Sequence, residues 1–153
     1  KIKKDIFGHH LYINADYYTE MDKDNIPTGK RVRVDGSLYD FRKMSNIGDK
    51  IKEKGSPYDE NYIVRKKSTL MAKLISPKSQ IQLTVFSNQP AVQFYSGQYL
   101  KYVSKNKRLK AHQGMCLETQ CFPNSPNNKK FPSSLLKPNE TYLHNMRFKI
   151  SDF

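Results

Sequence analysis

Tryptophan is absent from this sequence of 153 residues, and cysteine occurs only twice. Two thiols cannot supply the several cross-links of a small disulfide scaffold, so the chain has to fold on an apolar core. Cys116 and Cys121 stand five apart, which matches neither a CxxC redox pair nor a zinc-knuckle spacing. If residues 117–120 form a strand, that odd separation sends the two side chains to opposite faces, and no disulfide between them is expected. Two reduced thiols fit a cytoplasmic protein, and no secretory leader is visible. Nor is there an apolar run as long as a membrane-spanning helix, so no membrane partner is expected.

Acidic residues are scarce: 14 Asp and Glu stand against 27 Lys and Arg, for a net charge of +13. Such an excess raises the question of a nucleic-acid partner. The basic residues cluster at 1–4, 65–67, 101–110 and 129–130, each time beside turn residues. A strand-built nucleic-acid surface interleaves aromatics with Lys and Arg on one face. The stretch 101–110 holds a single aromatic, Tyr102. Solvated loop charge is the expectation, with no nucleic acid as partner.

Ten Tyr and eight Phe are present, and such side chains supply large buried areas. Short alternating runs separated by turn residues dominate the chain. Strands are expected at residues 10–15, 30–34, 69–75, 81–86, 92–95 and 141–150, with a turn at 25–29. Residues 45–54 have helical character, weakened by Gly48, and one or two turns are expected there. The polar stretch 101–113 reads as a loop. With no repeat and no linker, residues 1–153 read as one all-β domain, a sandwich with long functional loops.

Six segments carry a specific resemblance. They are NADYYT at 14–19 with IPTG at 26–29, DFR at 40–42, PYDENY at 57–62, NQPAVQFYSG at 88–97, CLETQCFP at 116–123, and FPS at 131–133 with LKPNETY at 136–142. In this order they resemble the C-terminal portion of the aldose 1-epimerase (galactose mutarotase) family. The resemblance implies an all-β β-supersandwich with a sugar cleft, a hexose such as galactose or glucose as substrate, and no cofactor. It implies Glu118 as the catalytic base and Asp59 and Gln93 as substrate-binding residues. The family's acid, a histidine in a TNHxYFNL motif, is not among these residues, and His9, His10, His112 and His144 fall on other motifs.

The residue types suit that chemistry. Mutarotation opens a hemiacetal ring and recloses it on the other face, which takes one group to remove the anomeric hydroxyl proton and another to protonate the ring oxygen. An ionised carboxylate only accepts, as a base must, whereas a Gln amide both donates and accepts, which suits a vicinal diol. Read from the residues alone, Asp59 after Pro57-Tyr58 could equally make a turn bond to its own backbone. Two functional readings stand side by side: a mutarotase with Glu118 as base, or a non-catalytic carbohydrate-binding homologue or truncated relic lacking the acid histidine. Several departures from the family pattern also stand out, among them Glu60 in place of His, Ser79-Gln80-Ile81 in place of SGR, and Asn124 in place of Asp. A sandwich made of the C-terminal portion exposes an apolar face, and a complementary chain or a homodimer is expected to cover it.

Overall fold

Two five-stranded antiparallel sheets and a two-stranded ribbon make up the computed structural model, which describes residues 5–66, 68–104 and 107–153. The first sheet runs β12-β7-β6-β1-β4, built from Met146–Asp152, Ile81–Ser87, Leu70–Ser76, His10–Ile13 and Ser45–Asn46. The second runs β11-β8-β5-β2-β3, built from Cys116–Gln120, Ala91–Tyr95, Asp59–Val64, Ala15–Met21 and Pro27–Arg33. One helix, α1 (Ile47–Lys54), connects β4 to β5.

The core lies between the sheets. Leu11, Ile13, Ala72 and Val85 of the first sheet share one buried cluster with Tyr62, Val92 and Phe94 of the second. Phe41 sets its ring edge against Tyr58, Tyr62 and Phe94 at centroid distances of 5.2, 6.2 and 5.7 Å. The expected tyrosine- and phenylalanine-rich core is therefore present.

The first sheet is only partly covered. Its ladders align two apolar rows, Ile13–Ala72–Val85–Phe148 and Leu11–Leu74–Leu83–Ile150. Leu11 and Ile13 are buried, whereas Phe148 and Ile150 keep 53% and 72% of their surface exposed. The rows start in the core and end in solvent, and β12 is an edge strand.

Several expected elements are redrawn. The run at 10–15 divides at Asn14, whose amide donates to Ser68 Oγ and the Leu70 carbonyl, both at 2.9 Å. There the chain passes from β1 in one sheet to β2 in the other. The turn lies at 22–26 instead of 25–29, because the Asp22 carboxylate accepts from the Asp24 and Ile26 N–H groups, both at 2.9 Å. Pro27, Thr28 and Gly29 already belong to β3. Residues 141–145 are not strand: the ladder to β7 begins at Met146 opposite Ser87. Before that point Asn88 ties the segment down, donating to the Leu143 carbonyl at 2.8 Å and accepting from Asn145 N at 3.0 Å. The loop expected at 101–113 contains a ribbon, β9 (Tyr102–Ser104) and β10 (Lys107–Leu109).

The helix forms two turns despite Gly48. Asn46 caps it by accepting from Asp49 N at 2.9 Å, and Gly55 ends it in the left-handed conformation. A Cβ on Gly48 would lie 2.7 Å from the Phe7 carbonyl, so close packing, not backbone freedom, accounts for that glycine. No helix among the described residues is long and apolar enough to cross a membrane.

Candidate functional site

Successive strand residues point to opposite faces, so the second sheet has one face in the core and one polar face. On the polar face Glu118, Gln93 and Asn61 stand in one row across β11, β8 and β5. Cys116, Tyr95 and Asp59 form the next row. Gln120, Ala91 and Ile63 form the row on the other side. Glu118, Gln93 and Asp59, which lie far apart in sequence, thus meet on three adjacent strands.

Hydrogen bonds fix the middle of this face. Gln93 Nε2 donates to Asp59 Oδ1 at 2.8 Å. Gln120 Nε2 lies 3.2 Å from Asn61 Oδ1 and 3.3 Å from Gln93 Oε1. Gln93 and Asn61 are buried, and Asn61 Nδ2 has no partner. Glu118 is exposed on this face. Burial raises the Cys116 thiol above its ordinary range, and the nearby charges of Glu118 and Asp59 add to this.

Two segments wall the site. Phe122 and Phe131, in edge contact at 5.1 Å, pack with Ala91 and Ile63 over the row that ends at Gln120. At the Asp59 row, the Tyr95 hydroxyl accepts from Tyr99 N at 2.8 Å and holds the chain after β8. Gly97 sets that turn: its φ is +78°, and a Cβ there would lie 2.1 Å from the Gly114 carbonyl. A glycine is needed at this point to bring the end of β8 against the chain leading into β11.

None of the four histidines joins Glu118. His9 Nδ1 and His112 Nδ1 contact main-chain carbonyls of Ile6 and Ser96 at 3.2 and 2.8 Å. His10 pairs in the first sheet, opposite Asn46 and Ile75. His144 Nε2 contacts Thr119 Oγ1 at 2.8 Å, on the face of β11 that Glu118 does not share.

Sequence reasoning missed Asn61, Gln120 and Tyr95. The signal was the two-residue alternation itself, since each stands two positions from a residue already singled out. It also assigned nothing to Glu60, which points into the sandwich. Where the family pattern loses a glycine in its hairpin, Gln80 takes a positive φ of 53°, and Asn124 likewise sits at 61°.

The sequence model of the family described as aldose 1-epimerase matches residues 1–149. A galactose mutarotase of Mus musculus is 36% identical over 152 residues, covering 95% of this chain and 44% of that protein. An aldose 1-epimerase of Escherichia coli strain K12 is 33% identical over 154 residues, covering 92% and 44%. Among solved structures, an aldose epimerase homologue from C. elegans superposes with a TM-score of 0.90 at 24% identity, over 98% of this chain and 47% of that one. A galactose 1-epimerase from Lactobacillus acidophilus gives 0.79 at 25% identity, over 97% and 45%. The fold is that of the galactose mutarotase-like proteins, and the chain spans less than half the length of these relatives.

Proposed function

Because the chain belongs to the aldose 1-epimerase family, we propose that its polar face binds a hexose and supplies the base of a mutarotase. Glu118 takes the proton of the anomeric hydroxyl while the bond from the anomeric carbon to the ring oxygen breaks. A second group gives a proton to the ring oxygen, producing the open-chain aldehyde. Rotation about the bond next to the carbonyl presents its other face, and both transfers reverse as the ring closes. General acid–base assistance of this kind contributes about 10²–10⁴-fold to rate. Asp59 accepts from sugar hydroxyls, and Gln93 orients it.

The observation that carries this reading is the alignment of Glu118 with Gln93 across β11 and β8, with Gln93 bonded to Asp59. Among the described residues no histidine shares the face of Glu118, so the ring-oxygen acid is a group other than these four histidines. It comes with the polypeptide that covers the apolar rows ending at Phe148 and Ile150. That covering partner is the remainder of an epimerase-type fold, within the same chain or as a complementary one, and a homodimer is its substitute when the chain is alone.

Polarimetry on freshly dissolved α-D-galactose or α-D-glucose tests the proposal. Acceleration is expected from the chain combined with the N-terminal portion of a galactose mutarotase, beyond that given by either piece. If the combination binds hexose without accelerating equilibration, the site is a carbohydrate-binding one and not a mutarotase.

A further inference from the structure

Glu60 occupies the core face of β5, opposite Phe94 in the ladder, where an acidic side chain is out of place. Its partner is Lys54, the last residue of α1. Lys54 Nζ lies 3.3 Å from Glu60 Oε1, and the two side chains keep only 10% and 13% of their surface. The same ammonium donates to Ser56 Oγ at 2.9 Å and to the Pro57 carbonyl at 2.8 Å. Its three N–H groups thus meet three oxygens. The rings of Tyr58 and Tyr39 complete its surroundings at 4.9 and 5.2 Å. A buried charge pair survives only when every donor and acceptor is matched, and this one is.

The other carboxylate oxygen of Glu60 reaches the sugar face through the backbone. Glu60 Oε2 accepts from Asp59 N at 2.7 Å. Ser96 N donates to the Tyr58 carbonyl at 2.8 Å, so the main-chain groups of Asp59, one residue on, turn to the opposite edge of β5. On that edge β2 pairs with β5 only from Val64 to Tyr62. The ladder therefore stops short of Asp59, and a side chain takes its place.

We propose that the Lys54–Glu60 pair is a positioning device for the hexose site: Glu60, held by Lys54, fixes the main chain of Asp59 and through it the Asp59–Gln93 hydrogen bond. This inference rests on the reading of Asp59 as a sugar-hydroxyl acceptor. Neither Lys54 nor Glu60 touches the sugar. Among the described residues, the charged and titratable groups around Glu60 are Lys54 from α1, Asp59 and Tyr62 from its own strand, Tyr18 from β2, and Tyr39 and Tyr58. Burial lifts the Glu60 carboxyl above its ordinary range, and Lys54 pulls it partly back. Hexose affinity should then weaken on acidification at a pH above the ordinary carboxylate range, as Glu60 takes up a proton.

The test combines two readings from ¹H–¹⁵N spectra: the Gln93 side-chain amide signals without sugar, and the Kd for galactose. Glu60→Ala is expected to shift the Gln93 signals and weaken binding about tenfold, the scale of one lost charge-assisted hydrogen bond. Glu60→Gln, which like the protonated carboxyl is neutral and keeps an oxygen for Asp59 N, should match the affinity of the acidified parent and lose the acid-side weakening. In an Asp59→Ala background, Glu60→Ala should cost nothing further. Should Glu60→Ala not fold, Lys54→Met/Glu60→Leu removes both charges together and carries the same expectations. Unchanged Gln93 signals and Kd in a folded variant overturn the proposal, as does an equal loss in the Asp59→Ala background. If the parent binds no hexose, the reading of the site has failed, and a shift of the Gln93 signals in Glu60→Ala decides the positioning role alone.

Discussion

Gln93 donates its side-chain amide to Asp59 at 2.8 Å, although the two do not stand opposite one another in the ladder. Asp59 faces Tyr95, and Gln93 faces Asn61, so the bond is a diagonal one between neighbouring strands. Diagonal neighbours on a sheet lie within reach only of long side chains, and Gln is long enough. The bond leaves the second oxygen of Asp59 for a ligand and fixes which way the amide points. Gln93→Leu keeps the volume and removes the bond. It is expected to weaken hexose binding by about 10- to 100-fold, corresponding to about 1.5–3 kcal/mol for a hydrogen bond to a charged group. Titration calorimetry or NMR titration with galactose checks this, with circular dichroism confirming the fold.

Phe41 is the hub of the aromatic core, edge-on to three rings. Phe41→Ala should cost about 3–5 kcal/mol of stability, and Phe41→Leu distinctly less, because the cavity left is smaller. Urea denaturation with an unchanged m-value checks both.

Gly97→Ala meets two obstacles at once. The left-handed φ costs a non-glycine residue about 1–3 kcal/mol, and the Gly114 carbonyl blocks the added methyl. A lower urea midpoint is expected, with hexose affinity reduced as well because β8 and β11 meet through this turn.

Acid should loosen the molecule through Asp16 and Asp40. Hydrogen bonds from Arg65 hold the Asp16 carboxyl below its ordinary range, and hydrogen bonds from Arg42 do the same for Asp40. Arg65 grips Asp16 with two contacts, at 2.7 and 2.9 Å. Arg42 also reaches Asp35. A depressed folded-state pKa gives stability that is present above the unfolded value, about 3.9, and is lost as pH falls through the folded one. Tm should therefore hold steady down to about pH 5 and fall below about pH 4. In Asp16→Asn/Asp40→Asn the fall should be shallower and Tm at neutral pH lower.

The apolar rows that run out to Phe148 and Ile150 predict association. Sedimentation of the isolated chain should show dimers or larger species, reduced by Phe148→Asp/Ile150→Lys. A monodisperse monomer with two-state unfolding contradicts the proposed covering partner.

Much of this was legible in the sequence, and the rest was not for identifiable reasons. The strands expected at 69–75 and 81–86 became β6 and β7; in 81–86 apolar and polar residues alternate, which reports a half-buried strand directly. Glu118, Asp59 and Gln93 were named by resemblance, and the sheet brings them together. Residues 141–145 alternate equally well yet are not strand, since pairing depends on where β7 ends and not on the pattern itself. Asn14 gave no sign that it switches sheets, because its partners Ser68 and Leu70 lie more than fifty positions away. The ribbon strands at 102–104 and 107–109 were hidden by their charge, which reads as loop when no apolar face is needed. Glu60 looked like drift in a family motif; only its distance to Lys54 gave it a place.

One comparison decides whether Glu118 is the base of a sugar-epimerising face. Polarimetric equilibration of freshly dissolved α-D-galactose is followed with the chain complemented by the N-terminal portion of a galactose mutarotase, and again with Glu118→Gln in its place. The catalysed rate is expected to fall by about 10²-fold or more, the worth of a general base, while the galactose Kd stays within a few-fold. A Glu118→Gln protein that equilibrates the sugar as fast as its parent contradicts that role.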